Sequence, residues 1–396
     1  MLGVDRPPPT RAILPLRTTK HSIPVLAAVA ALGWAIVALP VSSSGAPTAS
    51  ARAPAGFFGI VPQAPLTAED ARYMKAGGIE SVRVPMFWSE IQPSARSGYN
   101  WATVDRAVLT AVQAGLNVLP SLGTTPAWLA GKATTLPVRN ARQRAAWMEF
   151  LRAAVRRYGP GGEFWTEHAP GGVGPNYIPV VSRPMPIRTW QIWNEPNFFY
   201  FAYPVSPSSY AKLVTISSKA IKQTSPSAKI VLAGLFGNPD ESGKRGMDAT
   251  RFLDALYRSR GIKSRFDAVA LHPYAFHVDD LEELTEQVRA VVLAHHDRGA
   301  GLYITEMGWG SQNDPNVVAF EQGQHGQVRE LRDAYGYLLA NRRRLNLKQV
   351  SWFSWKDFRG ACNFCDSVGL FREGPRFKPK PAWRAFVSLA GGRVRP

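Results

Sequence analysis

The sequence predicts one α/β domain in which eight parallel strands close into a (β/α)8 TIM barrel. From residue 56 onward, short apolar segments rich in β-branched residues alternate with longer amphipathic segments. Such alternation is typical of parallel strands joined by right-handed helical crossovers. About eight strand–helix units fit into residues 56–396, the length expected of a barrel with insertions. A doubly wound open sheet is the alternative, but no glycine-rich phosphate loop follows the first strand.

The elements are predicted from hydrophobic periodicity and from the turn residues that flank each apolar segment. The candidate strands are Phe57–Val61, Ser81–Phe87, Asn117–Leu122, Thr189–Trp193, Lys229–Ala233, Ala268–His272, Leu302–Thr305 and Val350–Trp355. The candidate helices are Trp101–Gly115, Ala141–Tyr158, Pro207–Thr224, Asp248–Ser259, Leu281–Asp297, Gln322–Arg342 and Pro381–Leu389. The Gly- and Pro-rich stretch 159–188 exceeds ordinary loop lengths, so an elaborated surface loop is expected before the fourth strand.

The N-terminal segment, residues 1–42, has the composition of a secretory signal peptide. Basic residues precede an apolar stretch from Ile23 to about Val41, and small residues follow it. The apolar stretch is also about as long as a membrane span, which needs roughly 20 residues, so an uncleaved anchor stays open. Residues 43–55 are rich in Ser, Ala and Pro and predict a flexible linker. Both alternatives place residues 56–396 outside the cytoplasm, either secreted or anchored to the membrane.

The two cysteines, Cys362 and Cys365, form a C-x-x-C pair. Such a pair can be a redox motif, half of a zinc site or a small disulfide. Zinc needs about four ligands, and the sequence shows no second Cys/His cluster to complete a site. A thioredoxin-like motif would begin a helix, whereas this pair lies in a late loop. In an exported protein, a loop-closing disulfide is therefore expected.

The chain is strongly basic, with a formal net charge of +18. Its arginines are scattered, and no run of them matches a nucleic-acid-binding motif, so no nucleic-acid partner is expected. A solvated basic surface is the simplest interpretation of this charge. Long-range attraction of an acidic polysaccharide is the alternative. No cofactor is implied, and the sequence does not define an oligomeric state.

Two glutamates end the segments that we predict to be the fourth and seventh strands. Glu195 follows the largely apolar residues 190–193 and an asparagine, and Glu306 follows Leu302–Thr305. In a β/α barrel the reacting groups lie at the carboxyl ends of the strands, so both carboxylates are expected in one pocket. Paired carboxylates suit glycoside hydrolysis, in which one protonates the leaving oxygen and the other attacks the anomeric carbon or activates water. The 12 tryptophans offer faces for sugar rings or, equally, packing in a large core.

With these residues the sequence resembles the retaining glycoside hydrolases of clan A, the 4/7 superfamily, with family 39 and the cellulase-like family 5 as the nearest relatives. In that clan, an Asn-Glu pair ends strand four and supplies the acid/base, and a glutamate ends strand seven as the nucleophile. The resemblance covers roughly residues 56–390 and implies these roles for Asn194-Glu195 and Glu306. It also implies that O-glycosidic bonds of a poly- or oligosaccharide are cleaved with retention, through a covalent glycosyl-enzyme intermediate. The two carboxyl groups are then expected about 5–5.5 Å apart.

The resemblance assigns substrate contacts at other strand ends. Arg83 of the second strand would lie near the nucleophile, since a buried arginine needs a carboxylate partner, although a purely structural ion pair is the alternative. Tyr274 would orient the nucleophile, and His272 would contact either a sugar hydroxyl or the acid/base. Asn194 would bind the sugar 2-hydroxyl. Trp355 would stack on the sugar in the −1 subsite.

One departure from the clan and several alternatives bear on these expectations. Many relatives have a histidine near the end of the third strand, where residues 119–128 of this chain have none, so the sugar specificity is not defined. Trp88 and Trp193 either contact sugar or belong to the core. Transglycosylation and a non-catalytic carbohydrate-binding barrel stay open. A metal site is not expected, because no His-x-His pattern occurs on the early strands.

Overall fold

The computed structural model describes residues 53–171, 180–239, 241–313, 320–360, 362, 365–374 and 377–396. The predicted signal or anchor segment, residues 1–42, and most of the predicted linker 43–55 lie outside the described residues. Within the part of the chain that the structure describes, no helix is both long and apolar enough to cross a membrane.

Eight parallel strands pair in sequence order, and the last pairs with the first, so the sheet closes into a barrel. The strands are β1 (Phe58–Val61), β2 (Ser81–Phe87), β3 (Asn117–Gly123), β4 (Thr189–Ile192), β5 (Lys229–Phe236), β6 (Ala268–His272), β7 (Gly301–Met307) and β8 (Leu347–Phe353). The predicted (β/α)8 barrel is therefore confirmed.

Helices cover the outside of the barrel and connect successive strands. The helices are α1 (Ala68–Ala76), α2 (Trp88–Ile91), α3 (Ala102–Gln113), α4 (Ala127–Ala130), α5 (Ala141–Tyr158), α6 (Glu163–Glu167), α7 (Pro207–Thr224), α8 (Ala249–Tyr257), α9 (Val278–Ala294), α10 (Gly323–Asn341) and α11 (Pro381–Ala390). A 3-10 turn, Ile262–Arg265, precedes β6. The main apolar core lies between the strands and these helices.

Helix α1 is not among the elements predicted from the sequence. It begins with a capping box, in which Thr67 Oγ1 accepts from the Asp70 backbone N–H (3.1 Å) and Asp70 Oδ2 accepts from the Thr67 backbone N–H (3.1 Å). The Thr-x-x-Asp spacing was the available sequence signal. Asp70 Oδ1 also accepts from Trp355 Nε1 (2.8 Å), so this helix start is joined to the segment that follows β8.

The barrel interior is polar for this architecture, in which bulky branched side chains usually predominate. Near the amino-terminal ends of the strands, Gln349 Nε2 donates to Ser81 Oγ (2.7 Å) and to Ser351 Oγ (3.2 Å). Gly59 lies beside them, and a Cβ atom there would overlap Ser351 and Gln349. Further polar side chains occupy the interior towards the carboxyl ends, where the site lies.

The predicted disulfide between Cys362 and Cys365 is present in the loop between β8 and α11. A buried lysine ties this region to the barrel. Lys380 Nζ donates to Asp357 Oδ1 (2.5 Å), to Ser311 Oγ (2.9 Å) and to a backbone carbonyl of the same loop (2.6 Å). Lys380 therefore joins the end of this loop to its start, at Asp357, and to Ser311 in the segment that follows β7.

Candidate active site

Glu195 and Glu306 lie together at the carboxyl-terminal end of the barrel. Glu195 follows β4, and Glu306 is the last residue but one of β7. Both are buried, with 5% and 8% of their surface exposed. One oxygen of each carboxyl group lies within 4.8 Å of the other and of a ring nitrogen of His272. The structure thus brings the two glutamates and this histidine into one cluster.

The Glu306 carboxylate is held from two sides. Arg83, from β2, pairs with Glu306 Oε1 through its Nη1 atom, and Tyr274 donates its hydroxyl to Glu306 Oε2 (2.8 Å). Burial and the neighbouring Glu306 and Glu195 carboxyl groups raise the pKa of Tyr274 well above its ordinary value, so its hydroxyl stays a donor. Two donors, one of them cationic, hold the Glu306 carboxyl group in one orientation.

Arg83 also positions the asparagine that precedes Glu195. Its Nη2 atom donates to Asn194 Oδ1 (2.7 Å) and to Ser121 Oγ (3.1 Å). Because a guanidinium can only donate, the oxygen of the Asn194 amide must face it. Among the described residues, Asn194 Nδ2 has no acceptor, so this half-buried amide keeps a donor for a ligand hydroxyl.

Glu195 has different surroundings from Glu306. Its Oε1 atom lies 2.6 Å from His272 Nδ1. Burial and the nearby Glu306 raise the pKa of Glu195 well above its ordinary value, against the opposing effect of Arg83. Burial and Arg83 lower the pKa of His272 well below its ordinary value, so the imidazole is neutral. The contact is therefore a hydrogen bond of a neutral ring, not an ion pair, and Glu195 is the group that retains a proton.

A chain of buried side chains connects Arg83 to the ring of His272. Arg83 Nε donates to Gln191 Oε1 (2.7 Å), so the Gln191 amide must donate from Nε2, which reaches Thr305 Oγ1 (3.1 Å). Thr305 Oγ1 lies 2.9 Å from His272 Nε2 and retains a hydroxyl proton that can rotate. His272 can therefore accept from Thr305 and donate to Glu195, or do the reverse. Its tautomer can follow the protonation state of the carboxyl group.

The backbone at Trp193 and at Glu195 has positive φ angles, which residues other than glycine rarely adopt. Trp193 has φ 75° and Glu195 has φ 37°. Each such residue costs roughly 1–3 kcal/mol and persists only where its surroundings hold it. The Trp193 N–H donates to the Leu122 carbonyl (2.7 Å), and the Glu195 N–H donates to the Gly234 carbonyl (3.1 Å). The turn that aims Glu195 into the barrel is thus held by β3 and β5.

The structure does not bring Trp355 to this cluster. Strand β8 ends at Phe353, and Trp355 lies beyond it, buried against Phe371 and Trp383 with ring centroids 4.5 and 5.4 Å away. The predicted stacking role of Trp355 is therefore corrected: it is a core residue that binds Asp70. Phe353 lies closer to the site, with its ring 6.1 Å from that of Tyr274.

Trp88 and Trp193, the two other tryptophan candidates, are also core residues. Trp88 stacks on Phe150 (5.4 Å between ring centroids), and Trp193 donates from Nε1 to the Phe201 carbonyl (2.9 Å). None of the tryptophans in the described part of the chain is exposed. The exposed aromatic side chains in these described ranges are phenylalanines and tyrosines.

Several residues of the site were not predicted from the sequence: Gln191, Ser121, Thr305, Gly234 and Phe353. All but the glycine and Phe353 are polar residues within apolar strands, and a polar residue at an inward position of a buried strand was the available signal. At Gly234 on β5, a Cβ atom would overlap the ring of His272. This glycine therefore makes room for the histidine.

The cluster Glu195–His272–Glu306 also has ligand atoms close enough to approach a metal ion. Arg83 already pairs with Glu306, and its positive charge would repel a divalent cation there. Both ring nitrogens of His272 are engaged, by Glu195 and Thr305. The donor set fits proton transfer better than metal binding.

The fold and the site together resemble the clan A glycoside hydrolases: a (β/α)8 barrel with two unequal carboxyl groups after β4 and on β7. A sequence model of the glycoside hydrolase 42 family, described as β-galactosidase, matches residues 62–152. No curated protein matches the sequence.

Comparison with solved structures supports the same fold. A family 39 glycoside hydrolase from Bacteroides cellulosilyticus WH2 is 18% identical (TM-score 0.59; 84% of this chain and 63% of that one). The GH39 enzyme from Xanthomonas axonopodis pv. citri is 17% identical (TM-score 0.60; 88% of this chain and 69% of that one). A monomeric β-xylosidase from Caulobacter crescentus CB15 is 19% identical (TM-score 0.57; 85% of this chain and 69% of that one). The chain thus spans about two thirds of the length of these structures.

Proposed function

We propose that the protein is a retaining glycoside hydrolase in which Glu195 is the acid/base and Glu306 is the nucleophile. The unequal surroundings of the two carboxyl groups, whose oxygens approach within 4.8 Å, carry this proposal. Inverting enzymes need roughly 6.5–9.5 Å between the carboxyl groups to admit a water molecule, whereas retaining enzymes need about 5–5.5 Å. A closest oxygen pair within 4.8 Å fits the retaining separation, and the unequal surroundings of the two carboxyl groups support direct attack by Glu306.

In the first step, ionised Glu306 attacks the anomeric carbon while Glu195 gives its proton to the glycosidic oxygen. The leaving group departs as a neutral alcohol, and the sugar is esterified to Glu306. In the second step, the Glu195 carboxylate takes a proton from water, whose oxygen attacks the anomeric carbon and releases Glu306. Each residue ends the cycle in its starting state.

The surroundings of Glu195 suit both steps. While Glu306 is charged, its repulsion and the burial of the site keep the proton on Glu195. Esterification neutralises Glu306, so the pKa of Glu195 falls and the group becomes a base when a base is needed. The free donor of Asn194 supports binding of the sugar 2-hydroxyl, an interaction that strengthens in the transition state.

The substrates proposed for this site are β-linked poly- or oligosaccharides outside the cytoplasm. The matching family model is described as β-galactosidase, and one structural neighbour is a β-xylosidase. The net charge of +18 supports acidic polysaccharides as one substrate class, through long-range attraction that salt would screen.

The proposal is tested with 4-nitrophenyl β-glycosides of galactose, xylose, glucose and mannose. On whichever of them the wild type hydrolyses, we expect Glu306→Ala to lower kcat at least about 10³-fold, because the covalent step is lost. Azide should restore turnover of this variant and yield a glycosyl azide of inverted configuration. Glu69→Gln, an exposed carboxylate on α1, is the matched control and should behave as wild type.

The stereochemistry gives an independent readout. Proton NMR of the first product formed should show the anomer with the configuration of the substrate. Wild-type turnover by Glu306→Ala, or a first product of opposite configuration, would exclude the proposed nucleophile. Products formed in the presence of an added acceptor sugar separate hydrolysis from transglycosylation.

A further inference from the structure

Large exposed aromatic side chains occur on one side of the barrel. Those in the described residues are Phe87, Tyr200, Phe201, Tyr203 and Phe276. All five lie at the end of β2 or in the loops that follow β4 and β6, which is the carboxyl-terminal side, where the carboxylates lie. Soluble proteins seldom expose grouped aromatic surface without a binding function. Because the exposed aromatic side chains lie on the same side of the barrel as the carboxylates, we relate them to the site.

A row of rings connects the nucleophile to the exposed surface. Tyr274, which donates to Glu306, has its ring 6.0 Å from Phe236 at the end of β5. Phe236 stacks on Phe198 at 5.1 Å with an interplanar angle of 16°, and Phe198 lies 5.0 Å from Tyr200. Tyr200 is 60% exposed and stands at the outer end of the row.

The rings of this row are held in place before any ligand binds. Asn197 is fully buried, and its Nδ2 atom donates to the carbonyls of Phe236 (2.7 Å) and Met247 (2.8 Å). Its Oδ1 atom accepts from the Phe236 N–H (3.0 Å). The guanidinium of Arg245 covers the ring of Phe199 at 3.8 Å. We name Phe198, Phe199, Tyr200 and Phe236 the aromatic platform. A platform ordered in advance avoids an entropic cost on binding.

The chain order shows which part of a substrate the aromatic platform faces. Its first residue, Phe198, lies three positions after Glu195, in the same loop, and the Phe198 N–H donates to the Glu195 carbonyl (3.0 Å). Glu195 gives its proton to the leaving group, so this loop borders the leaving-group side of the scissile bond.

We propose that the aromatic platform binds the sugar units on the leaving-group side, so that the preferred substrate is a glycan chain with two or more units beyond the cleaved bond. This inference rests on the proposed function, since it uses the acid/base role of Glu195. Aromatic faces bind the apolar C–H faces of sugar rings and tolerate different sugars. Tyr200, at the outer end of the row, contacts a unit that a short aryl leaving group cannot reach.

The test compares an aryl glycoside with oligosaccharides of increasing length, and the Tyr200 variants assign any gain to the aromatic platform. The probes are the 4-nitrophenyl glycoside from the panel above and β-linked oligosaccharides of two to six units of the same sugar. For the wild type, kcat/KM should rise at least about tenfold between the disaccharide and the tetrasaccharide. In Tyr200→Ala, the ratio of kcat/KM for the tetrasaccharide to that for the aryl glycoside should fall about tenfold, mostly through KM. Tyr200→Phe keeps the ring and should stay within about twofold of wild type.

Leu293→Ala is the control for loss of exposed apolar surface, because Leu293 is 41% exposed on α9, outside the aromatic platform. It should match wild type on every probe. If kcat/KM does not rise with chain length, or if the ratio is unchanged in Tyr200→Ala while Glu306→Ala is inactive, the aromatic platform has no such role and the hydrolase proposal stands.

If Glu306→Ala instead keeps wild-type turnover, or no glycoside is cleaved, the hydrolase proposal fails. The role of the aromatic platform is then tested by glycan binding alone. Native gels containing soluble xylan, galactan, galactomannan or carboxymethyl cellulose then serve as probes. Retardation of the wild type that is lost in Tyr200→Ala supports the aromatic platform as a glycan-binding surface. Absence of retardation on all four polymers overturns it.

Discussion

The carboxyl group of Glu195 is buried beside a second carboxyl group, so its charged form is destabilised in the folded protein. A group with a raised folded-state pKa stabilises the fold below its unfolded pKa, about 4.3 for glutamate, and this contribution is lost as the pH rises through the folded value. The uncharged glutamine of Glu195→Gln has no such loss.

We therefore expect Glu195→Gln and wild type to have similar melting temperatures near pH 4, with the variant higher by a few degrees near pH 8. Thermal unfolding by circular dichroism across this range checks the expectation. Glu69→Gln, which is exposed, should track wild type at every pH. Parallel pH dependence of Glu195→Gln and wild type would contradict a buried, destabilised carboxylate.

Thr305 provides a second prediction for a single residue. Thr305→Val keeps the shape of the side chain but removes the partner of His272 Nε2, which favours the tautomer that donates from Nδ1 to Glu195. That tautomer stabilises the Glu195 carboxylate, so the basic limb of kcat/KM should shift to lower pH. We expect kcat at the optimum to fall about tenfold, the cost of one unmade buried hydrogen bond.

Rescue separates this positioning role from a general loss of structure. Thr305→Ser restores the hydroxyl and should restore the pH profile. Thr215→Val is the control, because Thr215 Oγ1 donates to the carbonyl of Ala211 in its own helix, α7, away from the carboxylate cluster. An unshifted basic limb in Thr305→Val would show that His272 does not couple Thr305 to Glu195.

Strand β5 leaves space for a side chain of the neighbouring strand, β6. The register of β5 against β6 shifts between Val231 and Gly234, and Gly234 faces the ring of His272 without space for a Cβ atom. We expect Gly234→Ala to displace His272 and lower kcat/KM at least about tenfold, with a lower melting temperature from overpacking, which typically costs 1–3 kcal/mol.

Gly336→Ala is the matched control, since Gly336 lies within α10 and a Cβ atom there would meet nothing within 4 Å. It should keep full activity and gain up to about 1 kcal/mol from helix propensity. Activity assays and thermal unfolding of both variants decide the point. Full activity in Gly234→Ala would mean that the histidine does not need its observed position.

The elements that sequence periodicity predicted best are the amphipathic helices and the apolar strands. Helices α5 and α7 and strands β2 and β6 have the predicted bounds. Strand β8 begins earlier than predicted, at Leu347, because Lys348 and Gln349 interrupt the apolar pattern that identifies strands. Strand β5 extends beyond the predicted end for a related reason, since Gly234 resembles a strand terminator in the sequence.

The site was predictable where a residue ends a strand and has a chemical reason to be there. Glu195, Glu306, His272 and Tyr274 lie at or just beyond strand ends, Arg83 is a charged residue inside an apolar strand, and the structure brings all five together. The remaining members depend on which way a side chain points inside the barrel. That direction follows from strand register, which a single sequence specifies only weakly.

For the whole molecule, the disulfide between Cys362 and Cys365 closes a very short loop beside the barrel. Closing a short loop restricts the unfolded chain only modestly, by roughly 2 kcal/mol in the chain-entropy model. We expect the double variant Cys362→Ser/Cys365→Ser to melt a few degrees lower and to keep kcat within about threefold of wild type, because Cys365 packs in one apolar cluster with Phe353 and Tyr274 but does not itself hold a carboxylate. Thermal unfolding and activity under oxidising conditions check both parts. A large fall in kcat would show that this loop supports the site.

The polar interior of the barrel has a consequence for engineering. The side chains Ser81, Gln349 and Ser351 at one end, and the Arg83–Gln191–Thr305 chain at the other, occupy positions that usually hold hydrocarbon. Replacing any one of them with a larger apolar residue would leave its partners unsatisfied in a closed space. Thermostable variants should therefore be sought on the outer helices, where substitutions act independently. The lumen must be redesigned as a unit or left unchanged.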